Sequence, residues 1–143
     1  MFTYKRPQKR SKFEDSISVQ LREFKQKESY EDFYIEYTKP ATKHKYTPDF
    51  VLPNGIIIEA KGIFEREDRQ KHLLIKEQYP ELDIRFVFQN QKMKLYKGSK
   101  TTYEDWANKY GFKFSRRVIP ASWFSESKKN MKGLIPKRRG EIV

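Results

Sequence analysis

Apolar residues recur along the chain with two different periods, and each change of period marks the boundary of an element. Near the N-terminus they are spaced by three or four positions, which predicts a helix with one apolar face. That face consists of Phe13, Ile17, Leu21 and Phe24. Over residues 30–37 apolar and polar residues alternate, which predicts a strand, whereas residues 38–45 are polar and basic and predict an irregular connector.

A β-hairpin is predicted at the centre of the chain. Apolar runs at 50–52 and 56–58 flank the turn sequence Pro53-Asn54-Gly55. A two-residue loop would place Pro53 in the ladder, where it has no N–H to donate. A three-residue loop avoids this problem and pairs Leu52 with Ile56, which sets the register of the two strands.

This register brings two carboxylates face to face. Asp49 lies opposite Glu59, and Lys61 follows on the same face, with Ile58 and Ala60 on the other face. Two acids across a strand pair repel each other, and a divalent cation between them turns the repulsion into coordination. Two acids and a lysine therefore indicate metal-assisted phosphodiester hydrolysis, with an incidental, solvated hairpin face as the alternative.

The second half of the chain contains further helices and strands. Predicted helices cover residues 65–79 and 102–110, predicted strands cover 84–88 and 93–96, extended segments cover 112–114 and 118–119, and a last helix or turn begins at Pro120. In the first of these helices, Glu65, Glu67 and Asp68 occupy the first turn, where the helix dipole accounts for their charge. His72 adjoins the apolar positions of the same helix and is expected to be half-buried. These elements predict an α/β fold with a mixed sheet of four or five strands and flanking helices.

The composition indicates a class of partner only through its charge, which is strongly positive. The 143 residues include 31 Lys and Arg against 19 Asp and Glu, a formal net charge of +12 that favours binding to nucleic acid. Charge of this kind does not distinguish an enzyme from a packaging protein. There is no cysteine, no apolar run of transmembrane length and no signal-peptide pattern, so we expect an intracellular, cytoplasmic protein that does not enter a membrane.

Basic residues cluster in segments that could contact phosphate, with a merely solvated surface as the alternative. Residues 1–12 are predicted to be a flexible basic arm, residues 13–124 a single domain, and residues 125–143 a basic, mobile tail. The candidate DNA-binding residues are Lys5, Arg6, Lys9 and Arg10 in the arm, Lys43, His44 and Lys45 in the connector, and Arg66, Arg69, Lys71 and Lys76 in the helix over 65–79.

The motif residues Pro48-Asp49 and Glu59-Ala60-Lys61 resemble the PD-(D/E)xK nuclease motif. Longer stretches, including KRSKFED, YTPDFVLPNGIIIEAKG, EDRQKHLLIKEQYPELDIRFVF, KLYKGS and VIPASWF, resemble the bacteriophage endonuclease I family of four-way-junction resolvases. The similarity covers roughly residues 10–124. It implies a restriction-nuclease-like fold and hydrolysis of branched DNA with Mg²⁺, or Mn²⁺ as a substitute, at one or two ions per site.

The resemblance also implies roles for individual residues. Asp49 and Glu59 would hold a metal ion together with the carbonyl of Ala60, and Lys61 would assist the attacking water. Glu14 corresponds to a further metal-site carboxylate in the family. Its position three residues after Ser11 also predicts a capping box, so that a helix cap is the alternative function of Glu14.

Family membership would further imply a homodimer in which residues 13–37 are exchanged, so that Glu14 serves the partner's site. The expected function is then resolution of four-way (Holliday) junctions in the cytoplasm of a host cell. Two alternatives remain open from the sequence: a PD-(D/E)xK nuclease acting on linear duplex DNA, and a non-catalytic basic DNA-binding protein.

Overall fold

The computed structural model describes residues 10–39 and 42–138. In these ranges the chain forms four helices and seven strands in an α/β arrangement, which confirms the predicted fold class. In chain order the elements are α1 (Lys12–Glu23), β1 (Phe33–Lys39), β2 (Thr42–Tyr46), β3 (Phe50–Val51), β4 (Ile57–Lys61), α2 (Arg66–Gln78), β5 (Ile84–Phe88), α3 (Tyr103–Lys109), β6 (Phe114–Arg116), α4 (Ala121–Phe124) and β7 (Ile135–Pro136).

The strands form two sheets. The central sheet has the order β3-β4-β5-β6 and is mixed, because β3 and β4 are antiparallel whereas β4, β5 and β6 run parallel. The parallel strands are connected through α2 and α3, as parallel strands require a crossover. The second sheet is antiparallel and has the order β2-β1-β7. The predicted mixed sheet is thus the central one, and β1 belongs to the second sheet.

The two faces of the central sheet enter two different cores. Ile57 of β4 faces a core shared with α2, α3 and β1, whereas Ile58 faces a core shared with α1 and α4. Aromatic rings fill much of the first core: the ring centroid of Phe64 lies 5.0 Å from that of Phe86 and 4.9 Å from that of Trp106. Because both of its faces are covered, β4 holds its side chains in fixed positions.

The first helix begins as predicted, and the centre of its predicted apolar face is buried. The Ser11 hydroxyl accepts the Glu14 N–H at 3.0 Å, and the Glu14 carboxylate accepts the Ser11 N–H at 3.3 Å, which completes the capping box. Ile17 and Leu21 are buried, whereas Phe24 at the end of the predicted stripe is 46% exposed. Of the helices in the described ranges, none is long and apolar enough to cross a membrane.

The irregular connector predicted over residues 38–45 is wrong, because most of this segment is strand. β1 extends to Lys39, and β2 pairs with it from Ile35↔Tyr46 to Lys39↔Thr42. Tyr46 is buried and His44 half-buried, while the lysines that alternate with them are exposed. Polar residues are compatible with a strand that has one solvated face. The polar composition therefore did not indicate β2, which forms because it pairs with β1.

The strand predicted over residues 93–96 does not form in the described chain. Lys94 makes a single bridge to Thr102, and the Leu95 N–H donates to the Thr101 carbonyl at 2.9 Å. A turn at Gly98, which has a φ of 90°, reverses the chain directly afterwards. The segment therefore folds back on the start of α3 instead of joining a sheet edge.

A mobile tail was predicted from residue 125, but residues 125–138 make contacts with distant parts of the chain. β7 pairs with the start of β1, and the Lys129 N–H donates to the Asn54 carbonyl at 2.7 Å. Leu134 packs against the first core. These contacts reach distant parts of the chain without any regular spacing, so no local pattern predicts them; residues 139–143 lie outside the described residues.

Residues 10–12 of the predicted basic arm lie in the described part of the chain and make contacts within the domain. Arg10 is held by the Glu28 carboxylate at 2.5 Å and by the face of the Tyr30 ring, whose centroid is 3.7 Å from the guanidinium carbon. Ser11 and Lys12 already belong to the cap and first turn of α1. The rest of the arm, including Lys5, Arg6 and Lys9, lies outside the described residues.

Candidate active site

The central hairpin has the predicted register. Val51 lies opposite Ile57, and the Leu52 N–H donates to the Ile56 carbonyl at 2.8 Å, as a three-residue loop requires. Gly55 closes the loop with a φ of 92°, a conformation that favours glycine. The hairpin therefore brings the end of the motif strand β4 beside the residues that precede β3.

Asp49 lies at this edge, just before β3. Its Oδ2 accepts the N–H of Ala60 at 2.9 Å. Because the N–H and C=O of one strand residue point to the same side, the Ala60 carbonyl faces the Asp49 edge as well. On the opposite side of β4, the Lys61 carbonyl accepts the Gln89 N–H at 2.9 Å from the end of β5. Asp49 and the Ala60 carbonyl thus offer oxygen atoms along one edge.

Glu59 and Lys61 project from the face of β4 that meets α2. Glu59 is only 4% exposed, and the Tyr46 hydroxyl donates a hydrogen bond to its Oε2. The Lys61 ammonium lies 3.6 Å from Glu59 Oε1 and 3.4 Å from Asp68 Oδ2. The lysine of the motif is therefore held between two carboxylates.

Burial makes both acids hard to ionise, and for Asp49 the neighbouring negative charges add to this effect. Burial raises the pKa of Asp49, and the negative charges of Glu59 and Glu14 raise it further. Burial also raises the pKa of Glu59, although Lys61 and the Tyr46 hydroxyl act in the opposite direction. Burial lowers the pKa of Lys61, but nearby carboxylates, led by Glu59, outweigh this effect, so that the net shift is upward and the ammonium remains charged.

Glu14 approaches the same place from α1. The Tyr30 hydroxyl donates to its Oε2 at 2.8 Å, while its Oε1 accepts the Ser11 N–H. The Tyr30 ring packs against Phe50 with a centroid distance of 5.2 Å, which fixes this region beside the hairpin. The cap predicted for Glu14 is confirmed, and the same side chain is near enough to Asp49 to raise the pKa of that carboxyl.

The donor atoms at this edge fit a hard divalent cation. Mg²⁺ prefers oxygen ligands and binds proteins through one or two carboxylates, with water or phosphate oxygen in the remaining positions. Asp49, Glu59 and the Ala60 carbonyl supply such a set. In residues 10–39 and 42–138, no three acidic or histidine side chains come together closely enough to hold an ion by themselves. Burial raises the pKa of both carboxyls, and the charge of Glu59 raises that of Asp49 further, so a bound cation would favour the ionised form of each.

Sequence reasoning missed two side chains that contact the motif. Tyr46 ends β2, directly after the segment that was expected to be irregular, so nothing in the sequence placed its hydroxyl near Glu59. Asp68 lies in the first turn of α2, where the helix dipole was a sufficient explanation for its charge, yet it contacts Lys61. The spacing of Asp68 from the motif gives no signal, because the loop between β4 and α2 sets their distance.

His72 was expected to be half-buried and is fully buried instead. Its ring stands edge-on to the Tyr46 ring, and the two ring centroids are 5.0 Å apart. The centroid of the His72 ring lies 4.9 Å from the centroid of the Phe86 ring. Neither ring nitrogen has a hydrogen-bond partner in the described chain. Burial lowers the pKa of His72, so the ring is neutral and packs as an aromatic group behind the site.

Among the candidate DNA-binding residues, those nearest the site belong to α2. The Lys71 ammonium lies 3.5 Å from Asp68 and 4.9 Å from the Tyr46 ring centroid. Arg66, in the first turn of the same helix, is exposed. Lys71 thus lies beside two residues that contact the motif, and Arg66 is accessible on the same helix.

Other candidates make contacts within the protein. Arg69 donates to the Phe64 carbonyl at 2.6 Å, and the Lys76 ammonium lies 4.6 Å from the Phe112 ring centroid. On β2, Lys43 and Lys45 are exposed, whereas the half-buried His44 shares a hydrogen bond of 2.8 Å with the Thr42 hydroxyl. Together with Arg10, the residues Arg69 and Lys76 have structural partners, and the β2 lysines and Arg66 remain the more accessible candidates.

The sequence is similar to phage nucleases over nearly its whole length. The family described as Phage endonuclease I matches residues 3–141. Endonuclease I of Escherichia phage T7 is 51% identical over 131 residues, which cover 92% of this chain and 88% of that protein. Endodeoxyribonuclease 1 of Enterobacteria phage T3 is 51% identical over 122 residues, which cover 85% of this chain and 80% of that protein. The chain therefore belongs to the phage endonuclease I family.

Proposed function

We propose that the protein is a metal-dependent endodeoxyribonuclease that resolves four-way (Holliday) DNA junctions by paired phosphodiester hydrolysis. The observation that carries this proposal is the meeting of Asp49, Glu59 and Lys61 at one edge of the hairpin. Burying two carboxylates side by side is costly, and a protein that binds DNA only through its charge gains nothing from it. Membership of an endonuclease family supports the same reaction.

The oxygen atoms at the hairpin edge would hold the metal. Asp49, Glu59 and the Ala60 carbonyl would bind one ion, and Asp49 with Glu14 would bind a second. Bound there, Mg²⁺ or Mn²⁺ supplies Lewis-acid stabilisation of the attacking and leaving oxygens of a phosphodiester. The buried Tyr46 hydroxyl donates a hydrogen bond to Glu59, and the Ala60 N–H donates one to Asp49.

Lys61 acts on the scissile phosphate from the Glu59 side. Its ammonium orients the attacking water and offsets the negative charge that develops on the phosphate oxygens. The water oxygen bonds to phosphorus as the bond from phosphorus to the 3′ oxygen breaks. The products are a 5′-phosphate and, after protonation, a 3′-hydroxyl.

Selection of four-way junctions requires that two sites act at a fixed separation. A homodimer that exchanges residues 13–37 would supply them, with Glu14 of each chain completing the partner's site. The substrate would then be chosen by its shape and by the position of its backbone instead of by base edges. The net charge of +12 favours such backbone contacts, and the expected place of action is the cytoplasm of the infected cell.

Cleavage of a labelled immobile four-way junction, beside a linear duplex with the same arm sequence, tests this function. With Mg²⁺ we expect paired nicks near the branch point, an intact duplex, and no cleavage in EDTA. Equal cutting of both substrates would support a nuclease activity but exclude selection of junctions. Tight binding without cleavage in Mg²⁺ or Mn²⁺ would show a non-catalytic DNA-binding protein.

Substitutions at the hairpin edge separate chemistry from binding. Asp49→Asn, Glu59→Gln and Lys61→Ala should each abolish cleavage while junction binding in EDTA stays nearly unchanged, because Asp49 and Glu59 would hold the metal and Lys61 acts on the reacting phosphate. Glu14→Gln should behave in the same way if Glu14 is a ligand. If it serves only as a cap, it should cost about 1 kcal/mol of stability and little activity. Loss of junction binding in all of the first three variants would instead indicate a role in folding or electrostatics.

A further inference from the structure

A buried hydrogen bond links the two sheets at the proposed metal site. Tyr46 belongs to the second sheet, through β2, and its hydroxyl donates to Oε2 of Glu59 on the central sheet. Tyr46 is 3% exposed and Glu59 4% exposed, so water does not compete readily for either group. The hydrogen bond occupies one carboxylate oxygen and leaves the other, Oε1, facing Lys61 at 3.6 Å.

The Tyr46 ring is itself held firmly. The buried His72 ring meets it edge-on at a centroid distance of 5.0 Å, with an angle of 83° between the ring planes. The Lys71 ammonium lies 4.9 Å from its centroid. Its backbone is paired with Ile35 of β1. A ring fixed on several sides can direct its hydroxyl to one position, and this position is occupied by Glu59 Oε2.

We propose that Tyr46 is a positioning residue that fixes the side chain of Glu59 so that Oε1 is the oxygen presented to the metal ion. This inference rests on the proposed function, because it assumes that Glu59 is a metal ligand. Groups that hydrogen-bond a ligating carboxylate orient it, and losing such a partner commonly weakens metal affinity or activity about tenfold to a hundredfold. Tyr46 lies outside the motif and acts on the reaction only through Glu59.

Tyr46→Phe tests this role, because the variant keeps the ring and removes only the hydroxyl. We expect its affinity for Mn²⁺, measured by calorimetry on the full chain without DNA, to fall about tenfold to a hundredfold. The rate of junction cleavage at a fixed, subsaturating Mn²⁺ concentration should fall in parallel. Junction affinity in EDTA should stay within about twofold of the parent, since no DNA contact is removed.

Tyr103→Phe is the matched control. Tyr103 is also 3% exposed, and its hydroxyl accepts the Phe64 N–H at 3.1 Å, away from the carboxylates. This variant loses a buried hydroxyl as well, so it should show a comparable loss of thermal stability while its Mn²⁺ affinity stays at the parent level. If both variants weaken Mn²⁺ binding equally, the effect is one of general stability and the inference is wrong.

A second comparison distinguishes an effect that acts through Glu59 from one that acts elsewhere. In a Glu59→Gln background, adding Tyr46→Phe should change Mn²⁺ affinity by less than about twofold, because the residue through which Tyr46 acts is already altered. A further loss of affinity would show that Tyr46 acts elsewhere. If the parent binds Mn²⁺ and cuts junctions but Tyr46→Phe leaves Mn²⁺ binding unchanged, the inference about Tyr46 is wrong while the proposed function stands. A parent that neither binds Mn²⁺ nor cuts would overturn the proposed function instead.

Discussion

At the scale of single residues, Lys61 depends on a neighbour that the motif does not contain. Its ammonium is nearly equidistant from Glu59, at 3.6 Å, and from Asp68, at 3.4 Å. Asp68 belongs to α2 and also contacts Lys71 at 3.5 Å. With an anion on each side, the ammonium stays between them. Without Asp68, it would move towards Glu59 and the oxygen that is needed for the metal.

Asp68→Asn should therefore slow cleavage about tenfold, since small displacements of a catalytic group have large effects on rate. Stability should change by less than about 1 kcal/mol, because Asp68 is partly exposed and its ion pairs lie near the surface. Single-turnover cleavage of a four-way junction, together with junction binding in EDTA, measures the two effects separately.

Glu67→Gln is the control for this prediction, because Glu67 lies in the same first turn of α2 and is exposed. It removes the same charge from the helix N-terminus without touching Lys61. If Asp68→Asn cleaves as fast as Glu67→Gln, Asp68 has no influence on the lysine and its role is limited to the helix dipole.

At the scale of elements, the segment 125–138 is held to the domain by a buried charge. The guanidinium of Arg85, on β5, is fully buried and donates two hydrogen bonds of 2.7 Å to Glu126. Asp83 accepts two more, at 2.8 and 2.7 Å. A guanidinium buried in this way needs its acceptors, so the segment that contains Glu126 is part of the folded domain.

Glu126→Gln should lower the free energy of unfolding by about 3 kcal/mol, because it removes one partner of a buried charge while Asp83 remains. Chemical denaturation at neutral pH measures this, with Glu77→Gln, an exposed acid on α2, as a control expected to stay within about 0.5 kcal/mol of the parent. A Glu126→Gln variant as stable as the control would support the mobile tail that the sequence suggested.

At the scale of the whole molecule, the segment over residues 13–37 makes contacts that two chains could share. In this chain α1 packs on the hairpin, and the Gln20 side chain accepts the Ile119 N–H at 2.8 Å and donates to the Ile119 carbonyl at 2.6 Å. β1 pairs with β7 from the other end of the sequence. Segment exchange would form the same contacts with the partner chain after opening of the β1–β2 hairpin.

A mixed dimer of Glu14→Gln and Asp49→Asn chains distinguishes the two arrangements. If segments are exchanged, one site combines both substitutions, whereas the other combines an intact Glu14 with an intact Asp49. We therefore expect nicking of one junction strand to return when the chains are co-expressed, while each variant alone is inactive. If every site is built within one chain, both sites carry a substitution, and the mixture should remain inactive in the same gel assay.

Local patterns were sufficient for the parts of this protein that depend on neighbouring residues. The capping box of Ser11 and Glu14 and the three-residue loop closed by Gly55 both follow from spacings of a few positions. The register of the hairpin then placed Asp49 beside the Glu59 strand. The spacing of the motif suggested metal-assisted hydrolysis but left a solvated hairpin face as the alternative. The resemblance of longer stretches to known nucleases indicated the family, which the comparisons confirm.

Contacts between residues far apart in the sequence determined the other features of the fold and of the candidate site. β2 is a strand because β1 supplies its hydrogen bonds. Residues 125–138 pack on the domain because β7 pairs with β1 and because Glu126 accepts hydrogen bonds from Arg85. Tyr46 reaches Glu59 because the second sheet packs beside β4. Asp68 reaches Lys61 because α2 packs on β4. Spacing along the chain carries no information about such distances. Only the tertiary structure therefore shows which side chains surround the motif.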